Sequence, residues 1–160
     1  MSPDEKARRK ASRPLVGVGA VLLSERLDRV LLVLRGTEPA AGKWSVPGGL
    51  VERGEPLIAA CAREVLEETG LTAQLQPQPI KLLQRVIADD HGEVTYHYLI
   101  VDFVGRAEDN EPVAGSDVRQ ARWFDIDHLP RLDTTAGLAQ VIARAIEIAR
   151  CQTPSSPLLE

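Results

Sequence analysis

Three carboxylates, Glu64, Glu67 and Glu68, follow Arg63 in a stretch that begins at Pro56. If residues 56–69 are helical, spacings of three and four place all three on one side, within about one turn of ~3.6 residues. Like charges so placed repel by about 0.2–0.5 kcal/mol per pair on an exposed helix. A hard divalent cation relieves that repulsion, because it takes oxygen ligands. Mg²⁺ uses few protein carboxylates, keeps waters and takes its other ligands from substrate phosphates. A solvated helix face can carry the same residues, and for a bare E-x-x-E-E it is the better reading. What precedes the helix tips the balance. Pro47-Gly48-Gly49 is a tight turn whose backbone can approach a ligand closely, and Gly54-Glu55-Pro56 is a second sharp turn, into the helix.

These groups need a scaffold. The apolar runs Leu15–Leu23 and 30–34 are short, rich in Val and Leu, and separated by polar residues 24–29, so they read as two strands of a hairpin. Residues 37–43 form a loop. From Pro56 the pattern is helical, with Ile58, Ala62, Val65 and Leu66 on the side that faces the sheet. Pro56 suits the first helical position and Gly70 the position after the last. Further strands are expected near 71–75, 83–88 and 94–104, with Asp90-His91-Gly92 as a turn, and Trp123-Phe124 opens another. Leu138, Val141, Ile142, Ala145 and Ile148 make 135–150 an amphipathic closing helix. Mixed strands with a helix on each side predict an α/β/α sandwich with a mixed sheet, a single domain over 14–150 between flexible tails at 1–13 and 151–160.

The stretch 49–71 resembles a known motif. Gly49, five residues, Glu55, seven residues, then Arg63-Glu64-Val65-Leu66-Glu67-Glu68-Thr69-Gly70-Leu71 fits the Nudix signature at every fixed position. The resemblance extends over roughly residues 14–150, since Nudix domains share this order of strands, loop–helix–loop, strands and closing helix. It implies Mg²⁺, with Mn²⁺ as a substitute, and hydrolysis of a pyrophosphate bond. Glu64, Glu67 and Glu68 match the family's metal-binding glutamates, and Gly48 stands where a backbone carbonyl often joins them. Arg63 matches the arginine that orients those glutamates, and Glu55 a brace of the loop. Many members add a carboxylate from a later loop. Asp117, six residues before Trp123, is the candidate here.

Composition bounds the remaining choices. A chain of 160 residues with 44% hydrophobic and 26% charged residues can bury one core. A net charge of −4 gives no reason to expect nucleic-acid binding. Residues 1–13 hold five basic residues against two acidic ones and offer nothing that fits a site, so they are expected to be dispensable. Cys61 and Cys151 make no disulfide framework, and no apolar run is long enough to span a bilayer, which points to the cytoplasm and away from membranes. Arg35, Lys43 and Arg53 are candidate phosphate contacts, though each alone is more often a surface charge. Trp44 is expected to pack under the glycine turn. Tyr96 and Tyr98 share one strand face, opposite His97, while His91 and His128 have no ligand partner in sequence. The favoured substrate is a nucleoside diphosphate joined to a second group, ADP-ribose-like. The alternatives are a nucleoside triphosphate, including oxidised dGTP, and a non-catalytic nucleotide sensor. A homodimer stays open.

Overall fold

In the computed structural model, which describes residues 1–151, a mixed eight-stranded sheet lies between two helices. The chain runs α1 (Pro3–Arg8), β1 (Leu15–Leu23), β2 (Arg29–Arg35), β3 (Trp44–Ser45), β4 (Gly48–Leu50), α2 (Leu57–Thr69), β5 (Ala73–Leu75), β6 (Lys81–Ala88), β7 (Val94–Ala107), β8 (Val118–Asp125), a 3₁₀ turn (Ile126–Arg131) and α3 (Leu138–Cys151). The expected sandwich is present. β1 and β7 pair in parallel from Leu15↔Tyr98 to Leu23↔Arg106, and the other pairings are antiparallel.

The strand period of two sorts β1 and β7 between the two layers. Val18, Ala20, Leu22, Val101 and Phe103 pack with Ala60, Cys61 and Val65 of α2. Val21, Leu23 and Val104 pack with Leu138, Val141, Ile142 and Ala145 of α3. Apolar cover on both faces is why β1 reads as an unbroken apolar run instead of an alternating one.

The β1–β2 hairpin is antiparallel but forked. Its strands share the register pair Leu23↔Val30, beyond which β4 pairs with β1 and β3 with β2, while β8 pairs with β2 along its whole length. The fork opens a cleft between Val18 and Gly19 on one side and Val33 and Arg35 on the other.

Several local expectations need correction. α2 starts at Leu57, with Pro56 as its extended cap residue, and ends at Gly70 in the left-handed conformation. Leu66, read as facing the sheet, is 54% exposed, whereas Glu68 and Thr69 are buried. A spacing of 58, 61, 65 and 68 faces the sheet, and polar Glu68 hides that stripe from a hydrophobicity reading. Trp123 and Phe124 close β8 instead of opening it. α3 starts later than expected, at Leu138. Residues 3–8, expected in a loose tail, form α1 under a capping box in which Ser2 and Glu5 bond each other's backbone N–H. Glu5 also accepts from the Glu38 N–H, and Lys10 N–H donates to the Thr95 carbonyl, which seats the segment against the cleft. The expected tail at 151–160 lies outside the described residues, apart from Cys151 at the end of α3.

The two apolar faces make a test. In urea unfolding, Ile142→Ala, which empties a site that is 1% exposed, is expected to cost about 2–5 kcal/mol. Leu66→Ala should cost less than about 0.5 kcal/mol. Similar losses for both would mean that the packing face of α2 is wrong.

Candidate active site

Gly48 and Gly49, expected in a tight turn, are instead extended and belong to β4, paired with Gly19 and Val18 of β1, and β4 and α2 are built against each other. A Cβ on Gly48 would lie 2.1 Å from the Val18 carbonyl oxygen, and one on Gly49 would lie 2.3 Å from the Glu64 carboxylate. At Gly48 the contact is with the backbone of β1, which leaves no room for a side chain, whereas at Gly49 a Cβ would have to displace the Glu64 carboxylate. The close approach lets the Gly48 N–H donate to Glu68 Oε2 at 3.0 Å.

Arg63 locks the same region from the other side. Its Nε and Nη2 reach both oxygens of Glu55 at 2.8 and 3.0 Å, and Nη2 also donates to the Leu50 carbonyl at 3.0 Å. Its Nη1 meets Glu64 Oε1 at 3.0 Å and Glu67 Oε2 at 3.3 Å. One planar guanidinium thus ties the turn before α2 to two carboxylates on α2. The hydrogen bonds from Arg63, with that from the Glu52 N–H, pull the Glu55 carboxyl down to about 2. Glu55 is therefore spent on the loop.

Burial acts against charge on the remaining carboxylates. It pushes the Glu68 carboxyl up to about 8, with Glu64 and Asp117 adding to the rise and the Gly48 N–H and Arg35 opposing it. It raises Glu64 as well, against the pull of Arg63. Glu67 is the exposed member of the three. Asp117 stands across the cleft, where it accepts from Thr37 Oγ1 at 3.3 Å and Ser116 Oγ at 3.2 Å. Arg35 is half-buried, its Nε donates to the Pro39 carbonyl, and burial draws its guanidinium down against the pull of Glu68 and Asp117.

The cleft has a volume of about 790 Å³ and brings together Glu64, Glu67, Glu68, Asp117, Arg63, Arg35 and Gly48. Two candidates fall outside its lining. Lys43 turns to Asp133 at 3.5 Å, and Arg53 sits exposed in the Glu52–Glu55 turn. Trp44 packs edge-on to Phe124 with ring centroids 4.7 Å apart, in the α3 core. The stacked pair Tyr96 and Tyr98 is buried, with Tyr98 reaching the cleft. Residue types alone hid Lys81, Arg85 and Asp102, which also line it. The available signal was Asp102, a charge inside the apolar run of β7.

Among the described residues, no group of three or more His, Cys, Asp or Glu side chains stands close enough to hold a metal ion alone. Arg63 holds Glu64 and Glu67 to one side, and Glu68 leans on Gly48. The donor set still fits Mg²⁺. It is all hard oxygen, its buried members repel one another's charge, and Mg²⁺ needs only one or two carboxylates beside substrate oxygens.

Comparison with known proteins agrees with this fold. The family model for the NUDIX domain matches residues 13–145. An ADP-ribose pyrophosphatase from Methanocaldococcus jannaschii is 33% identical over 129 residues, covering 81% of this chain and 72% of its own. An oxidized purine nucleoside triphosphate hydrolase from Danio rerio is 35% identical over 109 residues, 64% of this chain and 62% of that one. The NUDIX domain of NrtR from Shewanella oneidensis, complexed with ADP ribose, shares the fold at a TM-score of 0.71 and 21% identity, over 93% of this chain and 99% of its own.

The raised Glu68 carboxyl carries a stability prediction. The folded, metal-free protein keeps a proton that the unfolded chain, with an ordinary carboxyl at 4.5, releases. Stability from this group is complete below pH 4.5 and is lost as pH rises through about 8. In chelator-treated samples, the melting temperature of Glu68→Gln should therefore gain on wild type between pH 5.5 and 8.5. A difference that does not change with pH would remove the buried-charge account.

Proposed function

The chain belongs to the Nudix family, and on that premise we propose that it uses Mg²⁺ to hydrolyse the pyrophosphate bond of a nucleoside diphosphate joined to a second group, with ADP-ribose the favoured substrate. That it is a Nudix hydrolase, acting on pyrophosphate bonds, follows from the family. Enzymes of this family generally use a divalent metal ion. The observation that carries the reading is the set of Glu64, Glu68 and Asp117 carboxylates that repel one another at one end of a cleft large enough for a nucleotide.

Each residue then has a task. Glu64, Glu67 and Glu68, with Gly48, are assigned as the ligand groups. Mg²⁺ bound there would offset the charge of the pyrophosphate oxygens and make a water a better nucleophile. Arg63 holds Glu64 and Glu67 in place while Glu55 fixes Arg63. Asp117, steadied by Thr37 and Ser116, is assigned to orient the attacking water, and Arg35 to pair with a phosphate oxygen.

The choice of substrate rests on two supports. The M. jannaschii relative carries the name ADP-ribose pyrophosphatase. Of the three cations that could have met a γ-phosphate, Lys43 and Arg53 lie off the cleft. A triphosphate is the second reading, because Arg8 of α1 faces the cleft together with Arg35 and because the D. rerio relative is named for triphosphate hydrolysis. We place the protein in a reducing cytoplasm on its free cysteines, Cys61 and Cys151. No helix among the described residues is long and apolar enough to cross a membrane.

Two experiments test this. Glu68→Gln at saturating Mg²⁺ should fold and lose turnover by about 10²-fold or more, and Asp117→Asn should lower kcat more than it raises KM. Turnover of Glu68→Gln within a few-fold of wild type would refute the metal-site assignment, and unchanged Asp117→Asn kinetics would return Asp117 to the loop. Separately, kcat/KM for ADP-ribose should exceed that for common and oxidised dNTPs. A tenfold preference for any triphosphate would replace the favoured substrate by the second reading.

A further inference from the structure

Beyond the glutamates the cleft runs over a face formed by β1, β7 and β6. Gly19 lies beside Asp102, and Lys81 pairs opposite it. In the next row on the same face, Gly17, Ile100 and Leu83 stand side by side. β1 thus presents bare backbone here, while Ile100 and Leu83 give an apolar floor. Glycine inside a strand marks a place where something approaches closely. At Gly19 that is the Asp102 carboxylate, whose Oδ1 would be 2.3 Å from any added Cβ.

Asp102 is only 4% exposed, yet among the described residues its carboxylate makes no hydrogen bond or ion pair. Lys81 and Arg85 act on it through their charges alone. Arg85 is engaged by the Ala136 carbonyl at 3.1 Å, and Lys81 Nζ lies next to Gly137, 3.4 Å from where a Cβ would be. No fully enclosed side-chain oxygen or nitrogen among the described residues lacks a partner, so the free oxygens of Asp102 open into the cleft. An unpaired buried carboxylate costs several kcal/mol, roughly, and is rare unless something binds it.

The missing partner can be narrowed by chemistry. A carboxylate repels phosphate oxygens, so this end of the cleft takes the part of the substrate away from the pyrophosphate. The partner must present N–H or O–H donors. It must also be flat enough to lie on Ile100 and Leu83, with an acceptor within reach of Lys81. An amino-substituted base has all three features.

We propose that Asp102 is a specificity-determining residue, whose carboxylate accepts a hydrogen bond from the exocyclic amino group of an adenine base while Lys81 donates to a ring nitrogen. This rests on the nucleoside diphosphate reading but not on which bond is cleaved. Asp102 therefore selects the base, and the glutamates treat every pyrophosphate alike.

The test measures binding, without metal, of the 5′-monophosphates of adenosine, of inosine and of purine riboside, which lacks the amino group. Wild type should bind AMP about tenfold tighter or more than either analogue, since a site built for a donor rejects ligands that lack it. Asp102→Asn, whose amide offers its own donor, should narrow that gap to about threefold or less while leaving the affinity for purine riboside monophosphate nearly unchanged. Equal affinity of wild type for all three nucleotides overturns the proposal, and that arm needs no variant to fold. A loss seen instead with 2′,3′-dideoxy-AMP would show that the carboxylate reads the ribose diol, and also overturns it. Base selectivity that persists beside a preference for triphosphates would sink the ADP-ribose reading and leave this one standing.

Discussion

The candidate active site depends on how closely the backbone of β4 at Gly48 and Gly49 presses against α2. With no side chain on either residue, the strand reaches within hydrogen-bond distance of Glu68 and runs close beside the Glu64 carboxylate. A helix bearing three carboxylates has no reason of its own to bury two of them. β4 supplies that reason, together with the guanidinium of Arg63, which joins the Leu50 carbonyl of β4 and Glu55 to Glu64 and Glu67. Remove the close approach and the carboxylates become an ordinary solvated helix face.

That arrangement stores electrostatic tension. Burial raises Glu64 and Glu68, Glu67 adds to the rise at Glu64, Glu64 adds to the rise at Glu68, and Asp117 adds to both. Charges held apart from water and left short of counterions are costly to the fold. Under the proposed function, a divalent cation and a polyanionic substrate would together supply the balance the protein leaves open.

The fork between β1 and β2 gives the site its room. β1 and β2 diverge, β3 and β4 pair with the edges so freed, and residues of all four strands line the cleft. The carboxylates of α2 and Asp117 sit at one end, on a helix and a loop. The other end is a sheet face whose bare glycines and lone Asp102 differ in chemical character from the first. A substrate that spans both ends meets a charge-neutralising region and a hydrogen-bond-accepting region in one groove.

Much of this was legible in the amino-acid sequence, because it depends on short-range spacing. The carboxylates at three and four residues apart, Pro56 and Gly70 around α2, and the apolar runs of β1 and β7 are all local patterns with local causes, whereas Gly48-Gly49, read as a turn, is a strand because distant β1 pairs with it. The sandwich followed from their order. Side-chain direction across the sheet was not legible. The buried stripe of α2 passes through Glu68, so hydrophobicity pointed to Leu66, which faces outward. Lys43 and Arg53 carry the right charge near the right glycines, but their side chains leave the cleft. The capping box of α1 was present in Ser2 and Glu5, yet nothing local told where that helix would rest. Asp102, Lys81 and Arg85 come from two strands and share a face only through the register of β6 against β7. Register is set by pairing between distant segments, and a shift of one residue turns every side chain to the other face. The sequence by itself determined the chemistry of the helix, and only the tertiary structure decided which residues share its cleft.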